Sequence, residues 1–227
     1  MNSIVKMLIH LELPLSNMLD LNDLYQQRVA TCAENFKKVY LNPVELRQLE
    51  LLAAKIVPVK SMEASHRKDG TSELKRFTNG LKGELAVSKY LKMNIVNMDV
   101  GTSGEFDVPD IPGYNVGIKT VEYGHFPIIP KVNTYPQIIC ICHPTANGVV
   151  YICGLADVET LTKYQHDDLI LDPNLKMKGT KTGFWGFSQL KEVTLEALEP
   201  YKVEADSEPL TEENSTIVPL TTEEKTE

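Results

Sequence analysis

Missing from the 227 residues is any run of about 18 uninterrupted apolar side chains, the least that carries a helix across a bilayer, and this argues against a membrane span. The apolar N-terminal stretch Ile4 to Leu15 is broken by Lys6, His10 and Glu12, so it reads as a strand and not as the core of a leader peptide. Cysteine is scarce: four in this length make no disulfide framework, and a reducing cytoplasm is the expected setting. Glycine and proline, 13 of each, stand near average and exclude a collagen-like or wholly disordered chain. There are no internal repeats. With 42% hydrophobic and 24% charged residues, the chain suits one compact domain with room for accessory elements.

The net charge of −8 is unevenly placed. Residues 204–227 carry eight acids against Lys225 alone, a balance of −7, which leaves 22 basic and 23 acidic groups in the other 203 residues. This tail is rich in Thr and Glu and poor in aromatics, and is expected to be disordered. The body is close to neutral and can still present a basic face to a nucleic acid.

Apolar spacing predicts a strand over residues 3–14, a helix over 22–40 and a second helix from Pro43 through Ile56 that stops before Pro58. Asn42, Pro43 and Glu45 supply an N-cap, a first-turn proline and a capping-box acid. A third helix spans 78–92, followed by a short strand over 94–100. Residues 105–111 and 115–121 read as a hairpin around Pro112-Gly113-Tyr114. Three prolines between 124 and 136 exclude a helix there. Strands are predicted over 137–142 and 149–153, a short helix over 157–164, and a last strand-like piece over 184–190.

The chemistry concentrates between Gly80 and Thr120. With a three-residue turn, Asp107 lies opposite Lys119, and Glu105, Asp107, Gly117, Lys119 and Val121 share one face, whereas Asp110 and Glu122 point to the other. Glu84 sits on the third helix, in line with the apolar positions Val87 and Leu91. A helical carboxylate, a strand acid and a neighbouring lysine suit metal-assisted phosphodiester hydrolysis. Hard carboxylate oxygens hold Mg²⁺, and the lysine positions water or neutralises developing charge.

These residues resemble the PD-(D/E)XK nucleases of restriction-endonuclease-like fold, whose pattern is a helical Glu, an Asp opening one strand and (D/E)-x-K on the next. Gly83-Glu84-Leu85-Ala86-Val87, Gly104-Glu105-Phe106-Asp107 and Gly117-Ile118-Lys119-Thr120 fall in that order, within a resemblance covering roughly residues 40–195. The wider run to Phe184-Trp185-Gly186-Phe187 is similar to small uncharacterised phage-borne members of the group. The resemblance implies catalytic Glu84, Asp107 and Lys119. It also implies a Mg²⁺ or Mn²⁺ site formed by Glu84, Asp107 and the Ile118 backbone carbonyl, with Glu105 as a further candidate. Two departures stand out. Gly117 occupies the place of the acid two before the lysine, which Glu84 or Glu105 replaces or nothing does. The proline-rich stretch 124–136 stands where the common core has a helix. Asp110, in Pro109-Asp110, reads literally as the motif's PD and takes over if the turn is tighter or bulged.

Arg67, Lys68, Lys75, Arg76, Lys82 and Lys131 are candidate nucleic-acid contacts, and His125 lies close enough in sequence to reach the same site. Cys140, Cys142 and His143 sit in an apolar strand and read as core, not as zinc ligands. The expected fold is α/β (α+β): a restriction-endonuclease-like mixed sheet flanked by helices, with an N-terminal helical layer. Residues 1–75 are expected to pack on a nuclease-like core of 76–203, followed by the acidic tail 204–227. The expected function is a Mg²⁺- or Mn²⁺-dependent deoxyribonuclease. It would act on DNA in the cytoplasm, the host's if phage-encoded, with no membrane partner and a homodimer left open. The alternative is an inactive nucleic-acid- or protein-binding module on the same fold. A third reading, an inhibitor whose acidic tail mimics nucleic acid, rests on that tail alone.

Overall fold

The computed structural model describes residues 20–61, 73–96 and 110–203. In chain order these form α1 (Leu21–Arg28), a 3₁₀ turn (Ala30–Asn35), β1 (Lys37–Tyr40), α2 (Pro43–Ser61) and α3 (Glu73–Leu91). After them come β2 (Gly117–Glu122), β3 (Ile128–Pro130), β4 (Gln137–Cys142), β5 (Val149–Ala156) and α4 (Val158–Lys163). The last elements are β6 (Gln165–His166), α5 (Pro173–Lys178), β7 (Lys181–Phe184) and α6 (Leu195–Leu198). The fold is mixed α/β. A four-stranded mixed sheet runs β1-β5-β4-β2, with β2 and β4 parallel and the other neighbours antiparallel. A smaller antiparallel sheet runs β3-β7-β6. Helices flank the sheets, and none among the described residues is long and apolar enough to cross a membrane.

The two faces of the main sheet bury two cores. On one, α2 and α3 set Leu49, Leu52, Ile56, Leu81, Ala86 and Val87 against Ile138, Cys140, Val150 and Ile152. On the other, α1, α4 and the small sheet set Leu24, Tyr25, Leu161, Phe184 and Phe187 against Ile139 and Ile141. All six β4 residues are buried, which is why that strand reads as a continuous apolar run with no alternation. Gly154 meets the register shift between β4 and β5 with φ +145°, and a Cβ there would lie 2.7 Å from both Leu190 Cβ and the Lys191 carbonyl oxygen.

Several boundaries differ from the sequence expectations. The helix expected over 22–40 ends at Arg28, and the chain turns through a 3₁₀ segment into β1. Lys37–Tyr40 finds an open edge on β5, and that tertiary pairing overrides the helical spacing. The capping box of α2 forms as expected, with the Asn42 amide donating to Glu45 Oε2 at 2.7 Å and the Glu45 amide to Asn42 Oδ1 at 2.9 Å. The helix does not stop at Pro58 but continues to Ser61, losing one backbone donor on the way. Residues 94–96 are irregular, with Ile95 and Val96 buried in the main core. The last strand ends at Phe184 and gives way to a 3₁₀ turn at Phe187–Gln189. The expectations for residues 3–14, for 97–100 and for the tail 204–227 lie outside the described residues.

The expected hairpin does not appear among the described residues: 110 and 111 lie in no strand, and β2 begins at Gly117 and pairs with β4 alone. The Tyr114 amide donates to the Ile111 carbonyl at 3.1 Å, with Gly113 at φ +79°, and the Ile111 amide donates to the Val116 carbonyl at 3.3 Å. Ile111 is thus bonded to Val116, where the expected three-residue turn sets it opposite Asn115.

Candidate functional site

Glu84 reaches the sheet because of the residue before it. Gly83 lies directly on Thr120 of β2: a Cβ at 83 would sit 1.8 Å from Thr120 Oγ1. The missing side chain lets α3 press against β2. Farther back on the helix, Lys75 and Asn79 grip Glu122 at the other end of the strand, at 2.8 and 2.9 Å.

Beside Glu84 stands Asp110. Its Oδ2 accepts the Ile118 amide at 2.5 Å. The Gly117 amide donates to the Pro136 carbonyl on the β4 side, so the alternate residue Ile118 turns its peptide groups outward, where Asp110 lies. A side chain thus caps the outer edge of β2. Burial raises the Asp110 carboxyl above its ordinary range, against the Ile118 amide and the nearby Lys119 ammonium, which both favour the charged form. Glu84 is pushed up to about 8, first by burial and then by the negative charge of Asp110. Lys119, part-buried, shares its face of β2 with Gly117.

Glu84, Asp110, Lys119 and the Ile118 backbone therefore gather at the N-terminal half of β2. Asp110, the fallback for the strand acid if the turn is tighter or bulged, joins Glu84 as the second described acid of this group. Asp107 and Glu105 lie outside the described residues, as do Arg67 and Lys68. Among the described residues no three His, Cys, Asp or Glu side chains come together as a metal cluster.

The other basic candidates do not converge on Glu84 and Asp110. Lys75 is bound to Glu122. The Arg76 guanidinium stands 5.1 Å over the Phe77 ring. Lys82 is 8% exposed and donates to Asn147 Oδ1 at 2.6 Å, so its charge is committed inside the fold. Lys131 pairs with Asp167 at 2.7 Å on the small sheet. His125 is exposed beyond Glu122, past the far end of β2 from Asp110. Cys140 and Cys142 are buried thiols raised by desolvation, and His143 Nδ1 accepts the Thr145 and Ala146 amides of a turn.

One residue at this edge escaped sequence reasoning. Gln137 pairs with Gly117 across the parallel ladder. Its sequence signal is a polar residue opening the otherwise apolar strand Gln137–Cys142.

The donor chemistry fits a hard divalent cation: two carboxylates crowded in a desolvated place, each raised above its ordinary range, beside a strand-edge carbonyl. Compared with protein-family models, curated proteins and solved structures, the chain matches none.

Proposed function

We propose that this protein is a Mg²⁺- or Mn²⁺-dependent nuclease that hydrolyses DNA phosphodiester bonds, on a degenerate PD-(D/E)XK site built from Glu84, Asp110 and Lys119. The observation that carries the reading is the meeting of a helical acid, an acid hydrogen-bonded to the Ile118 amide and a lysine one residue on. Asp110 takes the part that the resemblance assigns to Asp107. Glu84, Asp110 and the Ile118 carbonyl would hold the cation, which supplies charge neutralisation at the phosphate and a more acidic bound water. Lys119 brings a fixed ammonium to the same edge, placed to offset the charge that grows on a phosphate oxygen in the transition state. Without the cation the Glu84 carboxyl is pushed up to about 8, so binding a cation at neutral pH would release its proton. The reading places the protein with DNA in a cytoplasm, and the basic segment 60–82 with its Arg67 and Lys68 is the first region to test for strand contact.

Gly117 favours a second reading, a module that binds nucleic acid on the same fold without cutting it, because it removes a ligand from the usual place. The deciding experiment is cleavage of single- and double-stranded DNA and RNA in Mg²⁺ and Mn²⁺. Wild type should cut. Lys119→Ala should lose about 10²-fold or more with fold and binding intact, the scale of one electrostatic contributor, and Asp110→Asn should fail likewise. No cleavage by wild type with retained nucleic-acid binding would overturn the nuclease reading in favour of the binding module.

A further inference from the structure

Two residues before Glu84, and so about 200° round α3 from it, Lys82 opens onto a different part of the molecule. Between α2 and α3 lies a recess of about 480 Å³, walled by Arg47, Glu50 and Leu51 on one side and by Leu74, Lys75 and Lys82 on the other. Asn147, in the turn between β4 and β5, bounds it. Its size falls among small-molecule sites, which run to roughly 300–1,000 Å³.

The charges of this recess do not cancel. Arg47 faces Glu50 at 3.5 Å, and Lys75 is bound to Glu122 at 2.8 Å. Lys82 has no carboxylate partner among the described residues: its ammonium donates to Asn147 Oδ1 alone, at 2.6 Å. A neutral amide offsets none of its charge. The neighbouring Cys142 thiol supplies no counter-charge either, because burial first of all pushes it up to about 11 and keeps it neutral. One positive charge is therefore left over, on a side chain only 8% exposed. Buried charges are normally paired, and an ammonium so far removed from water is weakly screened from any anion that enters.

The donors suit an oxyanion. Lys82 keeps two N–H groups, and Asn147, whose Oδ1 is taken, keeps its Nδ2 to donate. The Arg47 side chain is 70% exposed and held only loosely by Glu50, so its guanidinium can turn inward. These groups come from α2, α3 and a sheet turn, and together they offer more donors than the two oxygens of a carboxylate accept; a phosphate has three terminal oxygens. Leu51 and Leu74 line the same recess, at 51% and 44% exposed, and present apolar surface beside the charged groups.

We propose that the recess between α2 and α3 binds a small phosphate monoester, its phosphate on Lys82, Arg47 and Asn147 and its apolar or aromatic part on Leu51 and Leu74. The site stands apart from the Glu84 edge and does not depend on the nuclease reading. Lys82 lies too deep to meet the backbone of a duplex, but a small anion can reach it.

The test is calorimetric titration of phenyl phosphate into the full-length protein and its variants, with folding checked by circular dichroism. Wild type should bind, and more tightly than it binds inorganic phosphate, which has no apolar part. Lys82→Met should bind about tenfold or more weakly, the scale of a hydrogen bond to a charged group. Asn147→Asp changes an exposed turn residue and places a carboxylate against Lys82. It should raise Tm without ligand and weaken phenyl phosphate binding by a similar factor, because the counter-charge then comes from the chain. Lys37→Ala, which removes a cation paired with Glu192 away from the recess, should bind like wild type. Failure of wild type to bind phenyl phosphate overturns the inference, and so does unchanged binding in Asn147→Asp, even if Lys82→Met does not fold.

Discussion

Glu84→Gln keeps the size of the side chain and removes its charge, so it isolates what burying that carboxyl does to stability. In the folded chain the group titrates at about 8, against an ordinary value of 4.5. Between those values the folded chain keeps a proton that the unfolded chain has released. Unfolding therefore releases a proton, and stability falls as pH rises from about 4.5 to about 8. Each unit is worth about 1.4 kcal/mol, so the three units from pH 5 to pH 8 amount to at most about 4 kcal/mol. For a chain of this length 1 kcal/mol moves Tm by about 2–4 °C, so this group lowers the wild-type Tm by roughly 10 °C across that interval. Glu84→Gln lacks this term. In thermal melts at pH 5, 6, 7 and 8 it should match wild type at pH 5 and pull ahead steadily to pH 8. Added Mn²⁺ at pH 8 should raise the wild-type Tm, because a ligand that binds only the folded chain stabilises it, and should raise the variant's less. Melting curves that stay parallel from pH 5 to pH 8 would refute the argument that Glu84 is desolvated beside Asp110.

Gly83→Ala sets two effects against each other: alanine favours a helix over glycine by about 1 kcal/mol, but its Cβ would meet Thr120 Oγ1 at 1.8 Å. The clash should win by about 1–3 kcal/mol in urea denaturation, and Thr120→Ala in the same chain should recover most of the loss. Asp157 caps α4 through the Thr160 amide at 2.8 Å and holds Lys191 at 2.7 Å, and that Lys191 bond is the first cause of its pKa of about 2. Asp157→Ala should cost about 1 kcal/mol at pH 7; because the folded value is lowered from 3.8, the difference from wild type should shrink as pH falls through that value towards about 2. Lys82→Met should leave the salt dependence of DNA binding unchanged in fluorescence anisotropy, since a lysine buried against Asn147 releases no counterion; a slope lower by about one would restore Lys82 as a phosphate contact.

Whatever is governed by neighbours along the chain was legible in the residues alone. Asn42, Pro43 and Glu45 specify a helix start within four residues, and the structure makes both capping hydrogen bonds. Gln137–Cys142 and Val149–Cys153 are strands because their apolar runs suit a sheet buried on both faces. Glu84 and Lys119 were legible as candidates from motif order alone. What depends on partners distant in sequence was decided by tertiary structure. Lys37–Tyr40 leaves its helical pattern because β5 offers an edge that no local spacing reveals. That Asp110 stands beside Glu84 and reaches the Ile118 amide across eight residues depends on how the chain folds back before β2, which Ile111 bonded to Val116 shows. Lys82 looked like one more cation in a basic stretch, and only packing shows it enclosed against Asn147. Gly117 read as a lost ligand because a sequence shows what a position carries but not what fills the space beside it, and the parallel ladder set Gln137 there, twenty residues along the chain.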